Sequence, residues 1–464
     1  MVSSYLFALI LGPATYGVWQ TAKVFLNYGS FTSLGVPFAM RRDFITLRAE
    51  GKTEKANRLA HVAFTFNVFI NPLIALVFII IALTSASDLA FRISLLVVGI
   101  MYVTTIFSGI GELLHRGIND YRTIGIGNII YGVGTLAIVP LVLYYGYYAL
   151  LAGYLALSIV KSCYFYYKRP LNYELTIDFP LLRRMIAIGF PLFLVTLTTV
   201  LFSTIDRLLI AAMLDFSSVG YYSLSAFLAQ PLTMLLASFS VVIFTHLNEK
   251  YGSRRDSIVI ERQTYIPQRL LSRALSPIIG VAVIILPIAT EILLPQYTDG
   301  VKAAQINIFA ILFFKLASFS SSGLFILDKQ KYTAILFFIC GIIKAAGSFW
   351  ALKSGYGIEG VALFSIVAYL IYHIVMLYQV NRCLGGRVYQ FWSRIHESLL
   401  PPLTTLFLTI AYTVFAPAIF KELNIMTPWH RLLIGVLYIS IGGSYFSLVA
   451  FREFKHYYKR KPIS

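Results

Sequence analysis

The chain has 464 residues, of which 58% are hydrophobic and 12% charged, and its formal net charge is +18. Its mean hydropathy is +0.77. Soluble globular domains carry roughly 25% charged residues, so this composition excludes an ordinary soluble globule and defines a polytopic membrane protein. A spanning helix needs about 20 mainly apolar residues, and runs of that size fill the sequence.

Taken in chain order, apolar windows predict an all-α protein with spans over 15–40, 58–83, 89–112, 123–145, 147–167, 185–213, 217–245, 274–296, 304–327, 332–353, 358–380, 398–417 and 432–451. Residues 3–12 form one more apolar stretch, which at about 1.5 Å per residue covers only about half a bilayer. No Lys or Arg precedes it, which argues against a signal peptide. The expectation is therefore about 14 spans, the first truncated.

Of the 38 Lys and Arg, 28 fall in alternate gaps and in the C-terminal tail, from Arg41 and Arg42 after the second span to Arg460 and Lys461. The opposite gaps hold only Lys302, Lys353, Lys421 and Arg431. The positive-inside rule places the heavy side and both termini in the cytoplasm, as expected of a multi-pass protein of the cell membrane. The net charge then reads as topology and contact with anionic lipid, and no nucleic acid is implied. Cys163, Cys340 and Cys383 lie within or beside spans with no metal-like spacing, so no metal, redox role or cofactor is expected.

The stretch LGPATYGVWQ, Leu11 to Gln20, recurs as LDFSSVGYYS, Leu214 to Ser223. At this offset of 203 positions Gly17 aligns with Gly220, Trp19 with Tyr222, and Asn27 with Gln230. Each copy closes an odd-numbered span and opens an even-numbered one through a short outer turn, GPAT or DFSS. The order predicts two similarly oriented halves related by an axis along the membrane normal. The halves are an N-lobe over 1–167 and a C-lobe over 185–380, six spans each, joined by a cytoplasmic linker over 168–184 whose segment Lys168 to Pro180 acts as a hinge. Residues 381–464 supply two further spans and a basic cytoplasmic tail. Glu249 to Arg273 is the longest polar gap.

Ionisable groups inside spans are costly and usually face a cavity or a partner. Lys23, Lys315 and Lys344 sit near mid-span, whereas Arg92 and Lys161 are close enough to helix ends to snorkel. Tyr16, Gln20, Lys23, Asn27 and Ser30 recur at one helical face that continues to Arg41. Such a stripe lines water or protein, because lipid would leave its groups unpaired. Ser223, Gln230, Thr233 and Ser240 mark a neutral counterpart in the second half. Isolated Ser and Thr in spans read first as interhelical hydrogen bonds, but three deep lysines point to a hydrated cationic cavity. Asp206 and Arg207 are either a structural pair, each partnered across the bundle, or an outer gate. Glu112, followed by His115 and Arg116, reads as an interface group, and His373 as a satisfied buried histidine. Pro72, Pro140, Pro191, Pro231, Pro277 and Pro287 fall inside spans and predict kinks.

Four segments carry a family likeness: LILGPATYGVWQ, TSLGVPFAMRRD, GFPLFLVTLTTVLFSTIDRLLIAAMLDFSSVGYYSLS over 189–225, and EILLPQY over 291–297. With them the chain resembles the polysaccharide biosynthesis branch, including Wzx-type O-antigen flippases, of the multidrug, oligosaccharidyl-lipid and polysaccharide exporter superfamily. The resemblance implies two six-helix lobes with pseudo-twofold symmetry around a central cavity, plus two C-terminal helices. It also implies transfer of a polyprenyl-pyrophosphate-linked oligosaccharide from the cytoplasmic to the outer leaflet by rocking of the lobes. Lys23, Arg41, Lys315 and Lys344, with Asn27 and Gln20, then become candidates to hold the pyrophosphate and acidic sugars. A polymerase and glycosyltransferases of the same pathway become candidate partners. Two departures stand out: relative to the family the first helix lacks its beginning, and position 226, which aligns with Lys23, is Ala. The competing readings are a cation-coupled small-molecule exporter, for which Asp206 is the one deep carboxylate, and a membrane glycosyltransferase or polymerase, which the short outer loops disfavour.

Overall fold

The computed structural model describes residues 2–29, 33–85, 88–227, 230, 234, 257–327, 329–422 and 428–459. Among these the regular secondary structure is helical, and twelve helices are long and apolar enough to cross a membrane. The expected class, an all-α multi-pass membrane protein, is what the chain forms. Its outward residues fit that solvent: Phe69, Leu73, Ile80, Ile129 and Val133 are exposed, a surface too apolar for water. Tyr144, Tyr145 and Tyr167 stand exposed at helix ends, where interfacial tyrosines belong.

The chain divides into two compact units, Met1–Gly220 and Tyr221–Ser464. The first contains α1 (Val2–Gly29), α2 (Val36–Ala49), α3 (Thr53–Thr84), α4 (Leu89–Gly117), α5 (Tyr121–Tyr145), α6 (Tyr147–Tyr167) and α7 (Phe179–Met213). It also contains most of the short α8 (Phe216–Tyr222). Helix α4 packs against α3, α6 and α1, and α7 packs against α2 and α1. Between α4 and α6 the contact is polar: Ser94 meets the Tyr147 hydroxyl at 2.5 Å, and Thr104 meets Ser158. Such bonds substitute for the hydrophobic drive that lipid removes.

One sequence expectation holds here and one changes. The GPAT corner is where it was expected: α1, Val2–Gly29, is two helices joined at Gly12, whose φ of 71° and ψ of 172° are non-helical and open to glycine. The span expected over 15–40 is two helices, because Leu34 and Gly35 both take positive φ and Pro37 then starts α2. Gly35 also presses on α7, where an added Cβ would meet the carbonyl of Gly189. Ser30, on the expected polar face, lies outside the described residues.

The linker is fixed to its own unit. Glu174 N–H donates to His61 Nδ1 at 3.1 Å and Thr176 N–H to Thr65 Oγ1 at 2.8 Å, both on α3. Tyr173 stacks on Phe64 at 4.6 Å, and Arg58 pairs with Asp178 at 2.7 Å. Burial pushes the Tyr173 phenol up to about 12. The segment expected to act as a hinge lies along α3 between Arg58 and Thr65.

The second unit contains α9 (Ser257–Leu293), a 3₁₀ turn (Pro295–Gly300), α10 (Val301–Ile326), α11 (Gln330–Lys353), α12 (Gly357–Cys383), α13 (Val388–Glu422) and α14 (Pro428–Lys459). Helix α12 is its centre, packed on α10 and α11, while α9 contacts α10, α13 and α14. The polar gap expected over Glu249–Arg273 is helix from Ser257 onward. Its buried residues Ile260, Thr264, Gln268, Leu271 and Leu275 recur at helical spacing. Helices α3, α5, α7 and α9 run through Pro72, Pro140, Pro191, Pro277 and Pro287. Pro231, Thr233 and Ser240 lie outside the described residues.

Candidate functional site

Within the first unit, α1 and α7 run side by side in opposite directions. Gly35, just before α2, touches Gly189, and the Tyr28 hydroxyl meets Thr204 Oγ1 at 2.7 Å. Lys23 lies close enough to Arg207 for their like charges to repel. Beyond Arg207 the two repeated peptides meet each other. A Cβ on Gly17 would overlap the carbonyl oxygen of Phe216, and a Cβ on Gly220 would overlap that of Pro13. Since 13 and 216 are themselves 203 positions apart, the contact is self-complementary, as an interface on a twofold axis must be. The aligned glycines are the points where the two copies of the repeat touch. Next to this contact a cleft of about 480 Å³ is lined by Thr15, Asp88, Asp215 and Ser217 among others.

Lys23 is half-buried and its Nζ lies 5.8 Å from the Trp19 ring centre. Trp19 is held against Tyr154 at 4.7 Å, so the platform under the ammonium is rigid. Gln20 is buried and bonds to Tyr16 one turn earlier. Asp206 is 4% exposed, and its carboxylate accepts the backbone N–H of Arg207 at 3.0 Å. Among the described residues neither Lys23 nor Arg207 forms an ion pair with a carboxylate. Two cations on adjacent helices thus act on each other at this seam, and a bound polyanion would relieve their repulsion.

The structure brings together Lys23, Gln20 and Arg207, and it separates others. Asn27 is exposed further along α1, and Arg41 is exposed on α2, beyond the break at Leu34 and Gly35. Lys315 is half-buried on α10, with its Nζ 5.6 Å from the Phe314 ring centre. Lys344 is 0% exposed inside the second unit, donating to the Tyr369 hydroxyl at 3.1 Å. It is enclosed by protein and lines no open surface. Arg92 caps the Ala82 carbonyl, and Lys161 bonds Asn128 and pairs with Glu112, which also holds Arg116. The interface reading of Glu112 fits this cluster.

The sequence reading passed over the partner face on α7. Thr196, Thr199, Ser203 and Arg207 recur at i, i+3, i+7 and i+11, one helical face. The hydroxyls of the first three bond carbonyls of their own helix at 2.6 to 3.1 Å, which lets them sit in an apolar setting. Thr204, the partner of Tyr28, was likewise legible as a polar residue near mid-span.

Among solved structures, the chain is similar to the lipid II flippase MurJ in an inward closed conformation, with 16% identity over 98% of this chain and 96% of that one and a TM-score of 0.72. An inward-facing multidrug resistance MATE family transporter of the MOP superfamily matches at 12% identity, 83% and 93% coverage and a TM-score of 0.68. A MOP superfamily transporter from Pyrococcus furiosus matches at 14% identity, 83% and 91% coverage and a TM-score of 0.55. The fold is therefore that of the MOP-type membrane transporters. A search among curated proteins found no match. The profile of the family described as polysaccharide biosynthesis protein matches residues 6–296, and the chain belongs to that family.

Proposed function

We propose that this flippase or exporter moves a polyprenyl-pyrophosphate-linked oligosaccharide from the cytoplasmic to the outer leaflet of the cell membrane, with both termini cytoplasmic. The observation that supports the reading is the Lys23 and Arg207 pair, two cations on adjacent helices that repel each other, neither of which forms an ion pair with a carboxylate among the described residues. Like charges brought near each other in a partly buried site repel more strongly than they would in water. A pyrophosphate would turn that repulsion into attraction and accept hydrogen bonds from both groups. Gln20 and Asn27, on the same helix, would meet the first sugar, while the prenyl chain stays in lipid. In this reading Lys315 and Arg41 extend the cationic surface, the lobes over 1–167 and 185–380 rock about it, and transfer itself needs no bond chemistry. MurJ is a flippase of lipid II, which makes a lipid-linked glycan the natural cargo class for a chain of this fold and family. The pathway's polymerase and glycosyltransferases are proposed as its partners.

The test is surface glycan display in the host cell. Lys23→Ala and Arg207→Ala should each lower it at least tenfold at equal membrane abundance. Normal display by the double variant would overturn the assignment.

A further inference from the structure

The second unit has a cleft that the function proposed above does not use. It lies between the first turns of α9 and α13 and has a volume of about 460 Å³. Glu261, Arg262, Tyr265 and Arg269 line it from α9, and Arg394 and Glu397 from α13. Two ion pairs cross from helix to helix: Arg394 with Glu261, and Arg269 with Glu397 at 3.3 Å. Three arginines against two glutamates leave the lining with a net positive charge.

Arg394 is held from three sides. It donates to Glu261 on α9 and to Asn381 on α12, and its guanidinium carbon lies 3.8 Å from the Tyr265 ring centre. Asn381 is itself fixed, because its Nδ2 donates to the carbonyls of Gly386 and Arg387 in the turn before α13. A planar cation so placed loses little freedom when it binds an anion, and its two bonds leave further N–H groups for an acceptor. Apart from the guanidinium on its ring, the buried hydroxyl of Tyr265 has no hydrogen-bond partner among the described residues. Pairing between α9 and α13 accounts for the two glutamates. It leaves the surplus positive charge and the phenol without a role, and a buried polar group of this kind calls for one.

The level of the cleft in the membrane decides which anion reaches it. Beyond Arg273 on α9 and Glu397 on α13 the next exposed residues are apolar: Ile278 on the first, and Leu400, Leu403 and Phe407 at i, i+3 and i+7 on the second. Tyr389 and Trp392 stand exposed near the start of α13, as aromatic residues do at headgroup level. Arg382 and Arg387 are exposed in the same stretch. The cleft thus opens where hydrocarbon gives way to water, on the side of the basic gaps. We propose that it binds the headgroup of an anionic phospholipid, as basic pockets between membrane helices on the cytoplasmic side do. The phosphodiester accepts from Arg394, Arg262 and the Tyr265 hydroxyl, the first two through charge-assisted bonds. Its acyl chains lie on the apolar face of α13 that runs through Leu400, Leu403 and Phe407. A soluble phosphate ester has the same donors available but gains nothing from that face. A zwitterionic lipid gains less from the surplus positive charge.

The experiment titrates the full chain, in micelles of a neutral detergent, with phosphatidylglycerol or with phosphatidylcholine of the same chain length, and counts bound lipid by native mass spectrometry. The first phosphatidylglycerol should bind about fivefold more tightly than phosphatidylcholine, the effect of one surplus basic residue at a membrane surface. Arg262→Gln should remove most of that preference, and Tyr265→Phe, which deletes one hydrogen bond, should about halve it. Both variants leave the two ion pairs in place. Arg122→Gln, which removes an exposed cation on α5 in the first unit, should leave the preference unchanged. Glycerol 3-phosphate at the concentration of the lipid should displace none of it. Equal affinity for the two lipids would overturn the proposal, as would an unchanged preference in both cleft variants. A loss in Arg122→Gln equal to that in Arg262→Gln would show general attraction and overturn the site. Displacement by glycerol 3-phosphate would assign the cleft to a soluble anion and overturn the lipid. None of these results bears on the Lys23 and Arg207 reading, which is measured by glycan transfer.

Discussion

The meeting of the two repeats at Gly17 and Gly220 makes a sharp prediction. In Gly17→Ala the new Cβ overlaps the Phe216 carbonyl oxygen and comes within 2.9 Å of the Gly220 nitrogen, so backbone, not a flexible side-chain tip, must move. Overpacking of this kind costs about 1–3 kcal/mol, offset by about 0.5–1 kcal/mol from the better helix propensity of Ala. The net expectation is a destabilisation of about 1–2 kcal/mol. Gly220→Ala, which meets the Pro13 carbonyl, should behave alike. Because one small separation of α1 from α8 relieves both overlaps, the double variant should cost less than the sum of the singles, a coupling of the kind that contacting residues show. Gly132→Ala is the control: nothing lies within 4 Å of its added Cβ, so it should stabilise α5 by about 0.5–1 kcal/mol. Reversible unfolding of the purified protein in mixed micelles reads all four. Gly17→Ala with a gain equal to that of Gly132→Ala would refute the symmetric contact.

Other expectations follow from the linker and the helix starts. Asp178 accepts Leu181 N–H at 3.0 Å as the cap of α7 and pairs with Arg58. Asp178→Ala should therefore cost about 1 kcal/mol, and Asp178→Asn, which keeps the cap, clearly less; chemical unfolding separates the two. Asp120 accepts the Thr123 N–H at 3.1 Å, and its hydrogen bonds with Thr123 hold the carboxyl below its usual range. Its contribution to stability is complete above the ordinary carboxylate range and fades as pH falls through the depressed value. Melting curves of wild type and Asp120→Asn should converge only in strong acid. Tyr28→Phe removes the bond to Thr204 and should loosen the seam, seen as faster hydrogen exchange on α1 and α7 around these positions.

The sequence made the helices legible because membrane solvent imposes one rule, that the backbone must bond to itself. The end of α6 at Tyr167 and the start of α11 near Gln330 lie at the expected places for that reason. Hydropathy failed on α9, whose first four turns are amphipathic: Arg262 and Arg269 lower the window average while Thr264 and Gln268 face inward. It also passed over the break at Leu34 and Gly35, where the signal was a glycine followed two residues later by a proline. Of the candidate site, the deep cations were legible as costs with no local explanation. That Lys23 meets Arg207 was not, since residues 184 positions apart carry no local signal of contact. The repeat was the indirect clue, because its two copies lie at one end of that same seam. Lys344 looked equivalent to Lys23 in sequence, and only the enclosing α12 distinguishes them.

The most direct measurement is transfer itself. The full chain, in vesicles of phosphatidylethanolamine and phosphatidylglycerol, is given a polyprenyl-pyrophosphate disaccharide whose sugar carries a fluorophore reducible by impermeant dithionite. Wild-type protein should expose the inner-leaflet label, so that quenching runs nearly to completion, and the Lys23→Ala/Arg207→Ala protein should quench only the outer-leaflet share, as protein-free vesicles do. Full quenching by the double variant, or none beyond the outer leaflet by wild type, would contradict the account.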